Sequence, residues 1–457
     1  MKLNRNLKPN ISRNSTSFSS ETLHIEMAFR FSNHHSFIHI YRVFFIFFLF
    51  FGMMVSDDVL AQNQSSEQKL LQRYIDMALE NNAGLKSGTL NVEASRLQSK
   101  EFGSLGDPQL ELSYDAWSRM NPTSRFSLLL MQPVPWFGKL STTRRYFDQL
   151  SKAEEERFTG SQNELVFQLR NMWYEIHEAE HHIHISLDNL DILEQLENQI
   201  LSQLEVGRGS QIDVLRIQIE REELLNRISE FENVVFGLIA RFNVLLNRNR
   251  DAEIEILYEL QAEPVPTRYM DSISIEENPD VRELQAASAA SQTAIDNARL
   301  SGRPDFMVGF GLMNRDLLLG DPERINTVEL MFRMNLPIYR GQYRAQEQRA
   351  RLESRMIDQT KIELENQLTG EFYQAQKQLD TAINNQKLYS AKLIPMAQQA
   401  LEIAISSYGS GGNTFEQIIQ LQRQVLDYEM KYNTAVANHN KALARLDFLS
   451  GQSPYSF

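Results

Sequence analysis

One constellation in this chain has the residue types and spacing of a reactive centre: His177-Glu178-Ala179-Glu180-His181, with His184 close behind. On a helix, histidines four residues apart share a face, so two imidazoles can hold zinc while the intervening glutamate activates a water. The chemistry would be metal-assisted hydrolysis, which needs a cleft and a third ligand that the surrounding sequence does not supply. The match also falls inside an apolar frame running Leu165, Leu169, Met172, Ile176, Ala179 and Ile183, in a stretch so rich in His and Glu that chance alone can produce it. His177, His181 and His184 are therefore a weak metal candidate, packing within a helical rod is the plainer reading, and no cofactor is expected. No G-x-S-x-G elbow, phosphate-binding glycine loop or dinucleotide fingerprint accompanies them, so the chain does not read as an enzyme.

Composition narrows the classes further. The 457 residues include no Cys, which excludes a disulfide framework, a thiolate metal site and a lipid-modified N-terminal cysteine. A formal charge of -13 disfavours a nucleic-acid partner, because phosphate binding needs a basic face. Residues 1–61 read as a signal peptide: basic and polar residues up to Arg42 precede the apolar run Val43 to Val55, and Val59-Leu60-Ala61 suits cleavage after Ala61. That run is shorter than the roughly 20 residues a membrane helix needs. Met27 suggests that the start at Met1 is over-extended. Beyond Ala61 no apolar stretch reaches membrane-helix length, so any entry into a bilayer must be by strands.

The elements that would position these residues come in two copies. Asp107-Pro108-Gln109-Leu110-Glu111-Leu112 has a counterpart in Arg303-Pro304-Asp305-Phe306-Met307-Val308, and Val134-Pro135 with Gly138-Lys139 is matched by Leu336-Pro337 with Gly341-Gln342. Gly207, Ser210, Val214-Leu215 and Gln218 recur as Gly411, Thr414, Ile418-Ile419 and Gln422. Landmarks in one order at nearly one offset predict a duplication of about 200 residues, each unit reading helix, strand, turn, strand, long helix, glycine turn, long helix. The first repeat covers 62–265, the second 266–450, and 451–457 is a tail.

The long helices follow from spacing. After Leu165 to Ile183, the frame resumes as Leu224, Ile228, Phe231, Val235, Leu238, Phe242 and Leu245. In the second repeat Leu368, Phe372, Ala375, Leu379 and Ala382 continue as Tyr389, Leu393, Met396, Ala400 and Ile403, then Ile418, Leu421, Val425, Tyr428, Tyr432 and Ala435. These predict antiparallel coiled-coil hairpins, and a continuous helix from Lys139 to Val206 would reach about 100 Å. Pro395 lies within the frame and predicts a kink.

Strands are predicted at about 108–117, 125–133, 305–314 and 326–336, where apolar and polar residues alternate. Leu110, Leu112 and Tyr114 alternate with Glu111, Ser113 and Asp115, and Val328, Leu330 and Phe332 with Glu329, Met331 and Arg333. Runs of this length approach the ~9 to 11 residues of a tilted transmembrane strand. Four strands cannot close a barrel, and an open edge in lipid leaves backbone groups unpaired, so the wall must be shared between chains. Two copies give a filled eight-strand interior, whereas three give twelve strands and a lumen.

These residues resemble the outer-membrane efflux proteins of the TolC type. The resemblance covers Glu67 to Ser450 and rests on the duplicated unit, on Gln132-Pro133-Val134-Pro135-Trp136-Phe137-Gly138-Lys139 and Asn335-Leu336-Pro337-Ile338-Tyr339-Arg340-Gly341, and on Leu393-Ile394-Pro395. The Gln-Pro-x-Pro-x-x-Gly-Lys junction looks like the heavy-metal cation branch. What the resemblance implies is a mainly α fold with transmembrane β, assembled as a homotrimer with a 12-stranded β-barrel in outer-membrane lipid and an α-helical barrel in the periplasm. It also implies a periplasmic adaptor and an inner-membrane pump of the resistance-nodulation-division type as partners.

The turns at about 206–211 and 408–414 would then be tips that meet the adaptor, through Gly207, Arg208, Gly209 and Ser210 and through Gly411, Gly412, Asn413 and Thr414. As pure turns they need no function. Gate candidates are Asp213 and Glu416, with Gln417 and Gln420 standing where family members often carry acids. Lumen candidates are Glu111, Asp115 and Glu329, opposed by Arg333, a set expected to favour cations. The function implied is that of a passive conduit for small molecules or metal cations. The rival reading is a periplasmic adaptor or coiled-coil scaffold without a pore.

Overall fold

The computed structural model describes residues 67–115, 125–205, 210–256, 260–267, 269, 275–315, 326–408 and 414–451. The expected signal peptide and the turn residues Gly207, Arg208, Gly209, Gly411, Gly412 and Asn413 lie outside them. Helix α1 spans 67–81 and leads into α2 (Ala83–Phe102). Strands β1 (Gln109–Asp115) and β2 (Arg125–Val134) follow, then the rod α3 (Lys139–Glu205) and its return α4 (Gln211–Leu245). The second repeat gives α5 (Pro279–Ser301), β3 (Phe306–Arg315), β4 (Asn326–Met334), α6 (Arg340–Leu388), α7 (Ile394–Tyr408) and α8 (Phe415–Ser450). Among the described residues no helix is long and apolar enough to cross a membrane.

The four strands form one antiparallel sheet in the order β1-β2-β3-β4, so the two hairpins join along β2 and β3. In that register Leu110, Leu130, Phe310 and Leu330 form one cross-strand row, with Leu112, Leu128, Leu312 and Val328 in the next. The alternation of each strand thus adds up to a single apolar face, and it is bare: Leu330 is 83% exposed and Leu112 62%. On the opposite face Gly309 and Gly311 leave room for the side chains of Met131 and Leu129, and Met131 is buried there.

Both repeats pin their helices in the same way. Asn82 caps α2, and its amide donates to the carbonyl of Leu245 at the end of α4; Asn278 caps α5 and donates to Leu449 near the end of α8. Gly138, at φ 88, turns the chain from β2 into α3, and Lys139 then reaches the second repeat, donating to both carboxylate oxygens of Asp305 at 2.8 Å. The Gly-Lys motif is therefore a junction device.

Apolar cores run along the rods. Leu165, Leu169, Met172, Ile176 and Ala179 are buried as the frame predicts, as are Leu224, Ile228, Val235 and Phe242 on α4. The frame of α6 needs a correction. Leu368, Phe372, Ala375, Leu379 and Ala382 are buried, but beyond them Ala397, Leu401 and Ala404 face the core, while Met396 and Ile403 are 65% and 58% exposed. The cause is a π-helical turn at Tyr389–Leu393, which inserts a residue and shifts every later position by one. Pro395 sits just beyond this turn and does not end the helix; the local widening accommodates the missing donor.

Candidate functional site

The histidine match is dispersed by packing. His177 is buried, with Nε2 2.8 Å from Glu67 Oε1 and its ring against Trp173. Glu178, the residue that would activate water, is instead engaged by Lys441 Nζ at 2.7 Å. His181 is half-buried and His184 points to solvent. Among the described residues no group of three or more His, Cys, Asp or Glu side chains is placed to hold a metal ion. The adjacent His182 faces Met430 O at 3.2 Å and the Phe231 ring, and burial pushes its imidazole below the ordinary range.

The polar sheet face sorts the lumen candidates by level. Glu111 and Glu329 share one row with Leu129 and Gly311, on the two outer strands. Arg333 pairs instead with Met307, two rows along the same face, so it does not directly oppose Glu329. Asp115 lies in register with Arg125, which pairs in turn with Arg315. The face is thus mixed in charge along its length.

At the far end of the rods, Ser210 and Thr414 act as N-caps. Ser210 accepts from Ile212 N, and Thr414 forms a capping box with Gln417, which assigns Gln417 a structural task. Gln420 is exposed. Asp213 and Glu416 both tie one hairpin to the other: Tyr408 OH donates to Asp213 Oδ2 at 3.2 Å, and Arg216 Nη1 donates to Glu416 Oε2 at 3.2 Å. A turn and a half further along, Arg423 on α8 pairs with Glu220 on α4. Burial and the Asp213 charge push the Tyr408 hydroxyl above its ordinary value, so it remains a donor at neutral pH.

No protein-family model matches the chain. Solved structures do. A membrane protein from Pseudomonas aeruginosa superposes with a TM-score of 0.72 at 18% identity, over 84% of this chain and 90% of that one. VceC, an outer membrane protein of Vibrio cholerae, gives 0.69 at 13% identity over 84% and 97%. The MtrE outer membrane channel of Neisseria gonorrhoeae gives 0.68 at 18% identity over 83% and 88%. The chain has the fold of the TolC-type outer-membrane channels.

Curated relatives agree with that fold. The probable efflux pump outer membrane protein TtgC and the antibiotic efflux pump outer membrane protein ArpC, both of Pseudomonas putida, are 24% identical over 271 residues, 54% of this chain. The chain spans 56% of the length of these relatives in the match. Both are described as outer membrane proteins of efflux pumps.

Sequence reasoning missed Tyr408 and Arg216, the partners of the gate candidates, because contacts between hairpins leave no local pattern. It also missed a buried charge cluster beneath the return segment. Arg170 is 2% exposed and donates to Asp447 Oδ2 at 2.6 Å and to Glu263 Oε2 at 3.3 Å, while Tyr174 donates to Glu263 and Tyr269 to Asp447. An Arg inside an apolar frame, next to Leu169, was the available signal.

Proposed function

We propose that this protein is the outer-membrane component of a tripartite efflux system: a passive homotrimeric conduit reaching into the periplasm. The observation that carries the reading is the four-stranded sheet, which has an exposed apolar face and, among the described residues, no partner on the outer edge of β1 or β4. Bare apolar surface is tolerated in hydrocarbon, but unpaired strand edges are not, so sheets from several chains must join edge to edge. Three copies make twelve strands around a lumen, and α3, α4, α6, α7 and α8 of each chain continue the wall as a helical barrel. The flanking helices support this: Ile212, Leu215 and Ile219 on α4 and Leu352 and Met356 on α6 are exposed.

The channel consumes no nucleotide. Transport work comes from an inner-membrane pump of the resistance-nodulation-division type, delivered through an adaptor that meets the tips at 206–211 and 408–414. The ties Tyr408–Asp213 and Arg216–Glu416 hold those tips closed. Glu111 and Glu329 give a modest preference for cations, partly offset by the basic positions Arg125, Arg315 and Arg333. Cargo is small molecules or metal cations; relatives described as antibiotic and toluene efflux proteins support the first, and the Gln132 to Lys139 junction supports the second. Cell fractionation tests the reading: a heat-modifiable trimer in outer membranes, giving discrete conductance steps in planar bilayers, is expected. A soluble periplasmic monomer would establish the adaptor or scaffold instead.

A further inference from the structure

The end of the sheet from which both rods emerge carries an unpaired basic collar on an otherwise acidic chain. Arg145 lies in the second turn of α3, Arg303 precedes β3, and Arg340 and Arg344 sit one turn apart at the start of α6; all are exposed. The junction brings them together, because Lys139 Nζ donates to the carbonyl of Arg303 at 3.2 Å and Gly302 packs against Tyr343. Two acids of this region are already used: Asp305 is held by Lys139, and Glu347 by Arg299 and Arg351. Among the described residues, none of the four guanidinium groups has an ion-pair partner.

Helix polarity makes this arrangement less favourable still. Neither α3 nor α6 has an acid in its first turn, whereas α4, α5 and α8 begin with Asp213, Asp280 and Glu416. Cations at a helix N-terminus oppose the macrodipole, so an external anion would relieve both that conflict and the mutual repulsion of the arginines.

The apolar sheet face runs directly into this collar. A ladder of rings leads from Phe332 to Phe306 to Trp136 to Phe137, with centroids 5.6, 5.6 and 6.2 Å apart. Phe137 at its end is 81% exposed, and Tyr339, next to Arg340 in the chain, is 78% exposed. Aromatic rings that include the amphipathic Trp136 and are followed by cations suit a lipid headgroup layer: the rings lie at the hydrocarbon boundary and the guanidinium groups meet phosphates.

We infer that Arg145, Arg303, Arg340 and Arg344, together with the ring ladder ending at Phe137, form a docking collar for anionic phospholipid headgroups in the leaflet on the rod side of the barrel. The inference deepens the channel reading and rests on it. The collar fixes the depth of the barrel by charge. Each arginine removed should weaken association with an anionic headgroup on the order of fivefold.

The test uses the full protein reconstituted into phosphatidylcholine vesicles containing a minor fraction of phosphatidylglycerol. Electron paramagnetic resonance of spin-labelled lipids compares phosphatidylglycerol with phosphatidylcholine at the protein surface. The expected result is a phosphatidylglycerol preference that falls with added salt, survives replacement of all four arginines by lysine, and disappears in R145Q/R303Q/R340Q/R344Q. Equal association of the two lipids with the unaltered protein, or a preference untouched by the glutamines, overturns the collar and leaves the channel reading standing. Should the glutamine variant fail to insert, the salt titration of the unaltered protein decides. Failure of the unaltered protein to insert into any vesicle overturns the channel reading, and the collar with it.

Discussion

Replacing Tyr408 by Phe removes one hydroxyl from the tie to Asp213 and leaves the ring in place against Phe415, 6.0 Å away centroid to centroid. A hydrogen bond to a charged acceptor contributes about 1.5–3 kcal/mol, and the 3.2 Å separation at a half-buried site puts this one at the low end. Arg216–Glu416, with side chains 45% and 59% exposed, adds less than about 1 kcal/mol because solvent screens it. Loss of about 1.4 kcal/mol raises the opening constant about tenfold per chain, and about a thousandfold if three chains open together. Single-channel recording in planar bilayers measures this as open probability. Because the hydroxyl is held above its ordinary value of 10.0, the difference between Y408F and the unaltered channel should be constant from pH 6 to pH 8. An open probability unchanged in both Y408F and D213N would refute the closure role of the tips.

Other consequences are open to measurement. Arg170→Met should cost about 3–5 kcal/mol in denaturant unfolding, since Asp447 and Glu263 are left buried beside an apolar side chain; a loss below about 1 kcal/mol would mean that water compensates them. Leu330→Arg should block insertion into liposomes, at a cost of about 2–4 kcal/mol near the bilayer centre, while Glu329→Lys one residue away inserts normally and shifts the reversal potential toward anions. Burial lowers the pKa of His182 and of His439, whose Nε2 donates to Glu263 O at 2.8 Å; their stabilisation is complete above 6.5 and is lost as pH falls through their lower folded values. Thermal unfolding followed between pH 7 and pH 5 should show this loss, and H182Q/H439Q should flatten the profile. Burial raises Asp280, Glu283 and Glu429, so as pH falls toward the ordinary carboxylate range the sign reverses and protonation favours the folded chain.

The parts of this fold that the sequence discloses are those governed by local periodicity. The strand alternation and the frames Leu165 to Ala179 and Leu368 to Ala382 depend on neighbours a few residues apart, and they are found where spacing places them. The expected duplication rests on the same kind of signal, landmarks recurring at nearly one offset. The tertiary ties of Asn82 and Asn278 escaped notice because the carbonyls they donate to lie 163 and 171 residues away. Tyr408 and Asp213 are likewise 195 residues apart. The His177 to His181 match failed in the opposite direction: the local spacing was right, but Glu67 and Lys441 arrive from other elements and occupy both the imidazole and the carboxylate. Beyond Ala382 the helical frame slipped because a hydrogen-bonding change, not a residue pattern, resets the count.

That reset makes the second rod sensitive to chain length as well as to composition. Each helical residue turns the backbone by about 100°, so deleting one of Tyr389 to Leu393 would keep the buried face in place, whereas an ordinary α-helix through them with no residue removed would rotate everything from Pro395 to Tyr408 by that angle. Met396 and Ile403 would swing inward, Leu401 would swing out, and Tyr408 would turn away from Asp213. The five residues thus work as a phase key: the extra residue held in the π-helical turn decides whether the lower half of the rod presents its seam to α8 or to water.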